Sequence, residues 1–483
     1  MTRPAWVRLD NASNIFLAAR SDVDPKVFRV SAEMDHDVDP ALLQRALDRT
    51  YDAYPLYHAV LRRGVFWYYL QESDLRPRVE PERQHTCAPI YQADRRTLLF
   101  RVLHHRRRIV LEIFHALSDG TGALWFLTDL VTAYVRLRES DGSEPVDDLT
   151  GAVVAPFDPG QPEARRPAHE REIAEADPGN ALTGDSFAHY FRRRRSRPRA
   201  DPGPHPDPPA SPLAGGGDPA PDAPRGLARL VGASTAKAHR VRGTRTPDHR
   251  TRAIELTMPA ADALALAREE GVTLTMYLTA LFFESIRLSS GGLGRQRTLA
   301  ASVPVNLRQF FPSTSARNFF ATVRVEHTYG QGDDDLGAIC RSLDAQFRPQ
   351  ATPESLERKL RRFIRFERMI ALRIVPRPLK DLFLGWFNLA SNRGLTVAVS
   401  NLGRVTLPES VDPHVGRMMF HVSAVRPQFC AMSHAGKLTV SFTSPFVETD
   451  HVREFARLLT ARGVEVDVAA ARVTEEEIEE ALS

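Results

Sequence analysis

The chain has 483 residues, 42% hydrophobic and 26% charged, a globular composition that excludes a fibrous or wholly disordered protein and sets an expectation of two or three compact units. Its 59 Arg and 5 Lys against 60 acidic residues leave a net charge of +4 with both signs interspersed, so no nucleic-acid partner is expected. No apolar run reaches the ~18 residues of a membrane span, the opening MTRPAWVRLDNASNIF lacks the order of a signal peptide, and Cys87, Cys340 and Cys430 have neither disulfide nor zinc spacing. The expectation is a cytoplasmic protein without a metal site.

In chain order, Asp39 and Pro40 sit where a helix N-cap and first turn belong, and Leu43, Ala46, Leu47, Thr50, Tyr51 and Tyr54 follow at helical spacing until Pro55. Two strands then turn at Arg62, Arg63 and Gly64, and a hairpin is predicted from 97–103 to 109–115. Its return strand puts Leu111, Ile113 and His115 on one face. After Gly122 the period becomes helical, with Leu124, Leu127, Val131 and Tyr134.

From 201 to 224, 13 of 24 residues are Pro or Gly, so there is almost nothing to bury against the ordering entropy. Residues 151–250 are therefore expected to be a largely disordered linker between an N-terminal lobe, 1–150, and a C-terminal lobe, 251–483. The six arginines of 191–199 read as part of its solvated face, with peripheral contact to an anionic membrane surface as the alternative. The second lobe repeats the vocabulary of the first. A strand at 253–258, helices up to Gly271 and over 274–288, and a strand ending at 302–308 lead to a hairpin about Ala435 and Gly436 and a helix over 449–462.

The hairpin-to-helix junction of the first lobe, IFHALSDGTGALWFL, is the most informative segment. His115 carries the side chain suited to proton transfer near neutrality, and Asp119 follows four residues on, before Gly120. About 0.1 chance matches to such a pattern are expected in this composition. GGLGR at 291–295 has a helix before it and a strand after it, the reverse of a nucleotide-binding loop. No G-x-S-x-G elbow occurs, and His104 and His105 have no third metal ligand at suitable spacing. The apolar stretch 381–390 is too short to span a bilayer and reads as core, tunnel lining or a membrane-resting patch.

The segment His115 to Gly120 resembles the H-x-x-x-D-G signature of the chloramphenicol-acetyltransferase-like superfamily, which includes condensation domains of peptide synthetases and alcohol acetyltransferases. SVPVNLRQFFP with RNFFATVRV (302–312 and 317–325), VSNLGRV (399–405) and the N-terminal WVRLDNASNIFLAA resemble further segments of that superfamily, in the same order. Phe114 replaces the first histidine of condensation domains, and the plant D-F-G-W-G motif is absent. The likeness is therefore nearest to freestanding bacterial alcohol-acetyltransferase-like proteins. It implies an α+β fold of two similar lobes, each a mixed sheet flanked by helices, with an active-site tunnel between them. It also implies acyl transfer from a thioester, acyl-CoA or an acyl carrier protein, to an alcohol, with no permanently bound cofactor. His115 would be the general base, Asp119 would pair with Arg308 beside Gly120, and Asn318, Ser400 and Asn401 would be candidates to stabilise the oxyanion or line the tunnel. The alternatives are a condensation-type amide or carrier-protein-dependent transferase, or a catalytically inactive docking module of the same fold.

Overall fold

The computed structural model describes residues 6–9, 11–64, 67–93, 95–140, 187, 237–295, 297–311, 313–367, 393–475 and 477. The first half forms β1 (Trp6–Arg8), α1 (Asn11–Ala19), β2 (Val27–Met34), α2 (Pro40–Ala53), β3 (Ala59–Arg63), β4 (Tyr68–Glu72), β5 (Val79–Pro81), β6 (Phe100–His105), β7 (Arg108–Phe114) and α3 (Gly120–Glu139). The second half forms β8 (Arg252–Pro259), α4 (Ala260–Glu269), α5 (Leu274–Ser289), β9 (Thr298–Asn306), β10 (Phe320–Thr328), α6 (Leu336–Phe347) and α7 (Pro353–Glu367). It continues through β11 (Val397–Arg404), β12 (Val415–Val422), β13 (Gln428–His434), β14 (Lys437–Ser444), α8 (Asp450–Thr460) and β15 (Asp467–Ala470).

Local chemistry explains the clearest elements. Asp39 caps α2, its Oδ1 accepting from the Ala41 N–H at 2.7 Å, and the helix buries the face carrying Leu43, Leu47 and Tyr51. At the β13–β14 hairpin, Ala435 and Gly436 both adopt positive φ, 48° and 73°, the turn that matches strand twist. Helix α3 is buried on nearly every side, from Ala123 to Leu137, and forms the centre of the first lobe.

The first lobe is built on a five-stranded sheet, β12-β2-β7-β6-β5, and the second on a mixed seven-stranded sheet, β10-β9-β11-β13-β14-β8-β15. Strand β11 runs parallel to both β9 and β13. One face of the large sheet, with Leu256, Val440, Phe442 and Phe429, packs on α5 in the second core, whereas Cys430 and Met432 on the opposite face belong to the first core. The lobes also exchange chain. β12, from the second half, pairs antiparallel with β2 of the first lobe, Phe420 opposite Val30, before the chain returns to β13. A cut between lobes at 250/251 thus leaves the first sheet without its edge strand.

The expected linker is too long at its C-terminal end. Residues 237–250 lie on the second lobe: the His239 N–H donates to the Thr298 carbonyl at 2.7 Å, and the Thr246 N–H to the Pro445 carbonyl at 3.1 Å. Backbone hydrogen bonds rather than an apolar stripe hold this segment, which is why periodicity misses it. Phe187, also inside the expected linker, is buried with its ring 5.1 Å from that of Phe319. The Pro/Gly-rich stretch 201–224, the arginine run 191–199 and the apolar stretch 381–390 lie outside the described residues. Among the described residues no helix is long and apolar enough to cross a membrane.

Across β2, β7 and β6, Arg29, Glu112 and Arg101 stand in one row. The fully buried Glu112 carboxylate accepts from Arg29 Nε at 2.8 Å, Arg101 Nε at 2.7 Å and the Cys87 N–H at 2.8 Å. The two guanidiniums hold its carboxyl below the usual range against the opposing effect of burial. Glu112→Gln takes away the carboxylate that Arg101 holds and leaves Arg29 only its ion pair with Glu82, so a loss of ~3 kcal/mol is expected, read as a lower urea midpoint.

Candidate active site

His115 is the first residue beyond β7, which ends at Phe114, one residue before the end expected from periodicity. Its backbone N–H remains tied to the neighbouring strand, donating to the Lys26 carbonyl at 2.8 Å. The imidazole is stacked on Phe16, with centroids 3.9 Å apart and planes at 16°, and meets the edge of Phe28 at 4.9 Å. Phe320 of the second lobe lies 5.8 Å away. The catalytic candidate therefore sits where α1, β2 and β10 converge, between the lobes.

Asn318 fixes the state of this ring. The His115 carbonyl can only accept, so the Asn318 amide Nδ2 donates to it, at 2.7 Å, and its other hydrogen goes to Ser13 Oγ at 3.0 Å. Asn318 Oδ1 is left to accept from His115 Nδ1 at 3.2 Å, which puts the proton on Nδ1 and the lone pair on Nε2. Burial lowers the His115 pKa from 6.5 to about 4, against the smaller opposing effects of hydrogen bonds to its own backbone and Asn318 and of the Asp119 charge. The ring is neutral at pH 7. With both amide hydrogens used, Asn318 has none for an oxyanion, a correction to that expectation. It is a positioning residue.

Asp119 caps α3, its Oδ1 accepting from the Gly122 N–H at 2.9 Å. Its Oδ2 accepts from Arg308 Nη1 at 2.7 Å and from the Phe319 N–H at 2.8 Å, both in the second lobe. Arg308 lies in a short 3-10 turn just past β9, buried, with Nη2 donating to the carbonyls of Ser315 at 2.7 Å and Arg317 at 2.6 Å. Its guanidinium also lies 5.2 Å from the centroid of the Trp125 ring. Ser118 Oγ donates to the Ala316 carbonyl at 2.5 Å. A Cβ on Gly122 would lie 2.3 Å from that same carbonyl oxygen, so only glycine lets the start of α3 come this close to the second lobe.

The structure brings His115, Asp119, Gly120, Arg308 and Asn318 together and separates the β11 candidates. A Cβ on Gly120 would meet the end of the Leu402 side chain at 2.8 Å, which sets this glycine against β11. Asn401 turns to α5, its Nδ2 donating to Thr275 Oγ1 at 3.0 Å while its Oδ1 accepts from the Gly403 N–H at 2.8 Å. It is thereby occupied away from His115, contrary to expectation. Ser400 is opposite Cys430 on the sheet face turned to the first lobe. Sequence reasoning missed Ser13, Phe16, Phe28, Phe320 and Gly122. The spacing H-x-x-x-D-G-x-G was the one available signal, and it pointed to Gly122 alone. No group of three or more metal-ligating side chains occurs among the described residues.

Breaking the Asp119–Arg308 pair leaves one charge buried without its partner. Asp119→Asn and Arg308→Met should each lower stability by ~3 kcal/mol or more, and the double variant by clearly less than the sum. A double-mutant cycle by chemical denaturation measures this, and additive effects would contradict the coupling.

No family model matches the sequence, and no curated protein matches it. Solved structures do. A Fusarium sporotrichioides protein complexed with coenzyme A and T-2 is similar at a TM-score of 0.57 and 10% identity over 96% of this chain and 99% of that one. The trichothecene 15-O-acetyltransferase of F. sporotrichioides is similar at 0.55 and 11%, over 95% and 94% of the two chains. The first condensation domain of the CDA synthetase is similar at 0.53 and 15%, over 94% and 96%. The chain therefore has the two-lobed chloramphenicol-acetyltransferase-like fold that condensation domains and trichothecene acetyltransferases share.

Proposed function

We propose that the protein is an acyltransferase that moves an acyl group from a thioester to an alcohol, with His115 as general base. The observation that carries this reading is the fixed tautomer of His115: Nδ1–H is bound to Asn318 and the Nε2 lone pair is left for a substrate proton. Nε2 removes the hydroxyl proton as the alcohol oxygen attacks the thioester carbonyl carbon. The tetrahedral adduct then collapses, its C–S bond breaks, and the proton on Nε2 passes to the departing thiolate. The thioester is already activated, so no covalent enzyme intermediate is needed. Ser400, on the face turned toward the first lobe, is the remaining candidate to meet the oxyanion. Asp119 acts through geometry, since its two oxygens are taken by Gly122, Arg308 and Phe319.

The fold neighbours support acyl transfer in kind. One is a 15-O-acetyltransferase and another was solved with coenzyme A, which fits an acyl-CoA co-substrate. Condensation domains share the fold as well, and an acyl carrier protein is the alternative donor. Phe114, where condensation domains have a first histidine, stacks on Tyr91 at 5.3 Å.

His115→Ala should cut thiol release from acyl-CoA in the presence of alcohols by roughly 10²- to 10⁴-fold, the worth of a positioned base, with its melting temperature near wild type. A rate close to wild type would overturn the assignment. The lowered pKa gives a second check. The base is neutral above about pH 4, so kcat/KM should stay level from neutrality down and fall as a one-proton limb near pH 4. Stability falls in the same direction but over a higher pH window. Unfolded imidazole takes up its proton near 6.5 while folded His115 and His451 refuse it until about 4, so stability is complete above pH 6.5 and lost as pH falls toward 4. His115→Gln should remove about one proton from that slope.

A further inference from the structure

The charge that His115 acquires in the reaction has no carboxylate to answer it. When Nε2 accepts the hydroxyl proton the ring becomes a cation, in a place where burial works against charge. In a Ser-His-Asp triad a carboxylate at the other ring nitrogen stabilises that imidazolium. Here Nδ1 meets the neutral Asn318 amide, and no carboxylate among the described residues bonds the ring. The charged groups that act on it are Asp119 and Lys26, with opposite sign. Asp119 has both oxygens committed to Gly122, Arg308 and Phe319, and Lys26 is paired with Asp24. The second lobe brings an amide, Asn318, and an apolar ring, Phe320.

What lies against the imidazole is π density. Phe16 stacks on it with centroids 3.9 Å apart and planes at 16°, so the negative face of the benzene ring covers the imidazole. A cation over such a face and within about 6 Å of its centroid is attracted by the ring quadrupole, the more so where water is excluded. Phe28 is inclined at 62° with its centroid 4.9 Å away, and Phe320 at 38° and 5.8 Å, so Phe16 is the ring that lies flat and nearest. Helix α1 is pinned on both sides of it. Ser13 Oγ accepts from Asn318 Nδ2 at 3.0 Å one turn before, and Leu17 enters the first core one residue after. Leu17 and Phe28 are buried and do the packing, while Phe16 stays half-buried at the base.

We propose that the Phe16 ring stabilises the imidazolium of His115 in the transition state by a cation–π interaction, taking the part that a carboxylate plays in a Ser-His-Asp triad. Phe16 acts through the base. The proton passes from the alcohol oxygen to Nε2 as the oxygen–carbon bond forms, and the positive ring is held against the face of Phe16 until the proton leaves with the thiolate. This rests on the acyl-transfer reading, but the interaction itself can be measured without a substrate.

The test replaces Phe16 by 4-fluoro-, 3,5-difluoro- and pentafluorophenylalanine, which keep an apolar ring of nearly the same shape while draining its negative face, and by leucine, Phe16→Leu. The first readout is the NMR titration of the His115 Cε1–H in the resting protein, a signal identified by its loss in His115→Gln. Its midpoint should fall stepwise with fluorine, by about one pH unit in all, because the charged form loses an interaction worth about tenfold in an equilibrium. The second is thiol release from acyl-CoA with an alcohol at pH 7. There kcat should fall in the same order, about tenfold in all, with KM within about twofold, since the ring is neutral in the ground state. A role in packing alone leaves the fluorinated series level and shows only in Phe16→Leu, and a level series in either readout overturns the proposal. If the midpoint falls with fluorine while no thioester and alcohol react in the wild type, the interaction stands and the acyl-transfer reading fails.

Discussion

The Asp119 carboxylate ties together the parts on which the rest of the site depends. One oxygen caps α3 from within the first lobe, and the other receives a guanidinium and a backbone N–H from the second. An N-cap contributes ~1 kcal/mol, whereas a buried ion pair roughly offsets its own desolvation. The larger return is geometric. With both oxygens committed, the turn from His115 to Asp119, the start of α3 and the segment Ser315–Phe319 have one mutual register, and Gly122 is the residue that lets the backbones approach closely enough to keep it.

That register matters because His115 is held by both lobes at once. The first supplies Phe16, Phe28 and the Lys26 carbonyl, and the second supplies Asn318 and Phe320. A slide of one lobe over the other would take Asn318 away from Nδ1 and release the tautomer. Two further features resist it. The exchange of β12 puts a strand from the second half into the first sheet. Glu255 of β8 accepts both Nη atoms of Arg108 on β7, at 2.9 and 2.8 Å, while Arg417 of β12 donates to Glu33 on β2 at 2.6 Å and to Thr257 on β8 at 3.0 Å. The interface is thus bonded at its edge as well as at the site.

What could be read from the sequence was what short-range chemistry writes there. The cap and stripe of α2, the hairpins before α3 and α8, and the His115-to-Gly120 pattern are all encoded within a few residues of one another, and all lie within three residues of where periodicity put them. Arg308 and Asn318 came only through family likeness, since nothing local in NLRQF or RNFF says that the chain turns back 189 positions to Asp119 and 203 to His115. The same limit hid β12, whose partner is remote in sequence, and residues 237–250, held by backbone bonds that leave no side-chain pattern. It also misled about Asn318 and Asn401. Both have the right donor, but one spends its hydrogens on the His115 carbonyl and Ser13, and the other faces α5.

The distribution of charge separates structure from chemistry more sharply than burial does. Arg29 and Arg101 share Glu112, Arg308 has Asp119, and Arg108 and Arg417 have Glu255 and Glu33. Each of these clusters is closed: every cation has a carboxylate within hydrogen-bonding distance, and each cluster fixes one strand or lobe against another. His115 stands outside every one of them: its ring meets the neutral Asn318 amide rather than a carboxylate, and burial, the largest influence on it, keeps it uncharged at neutral pH.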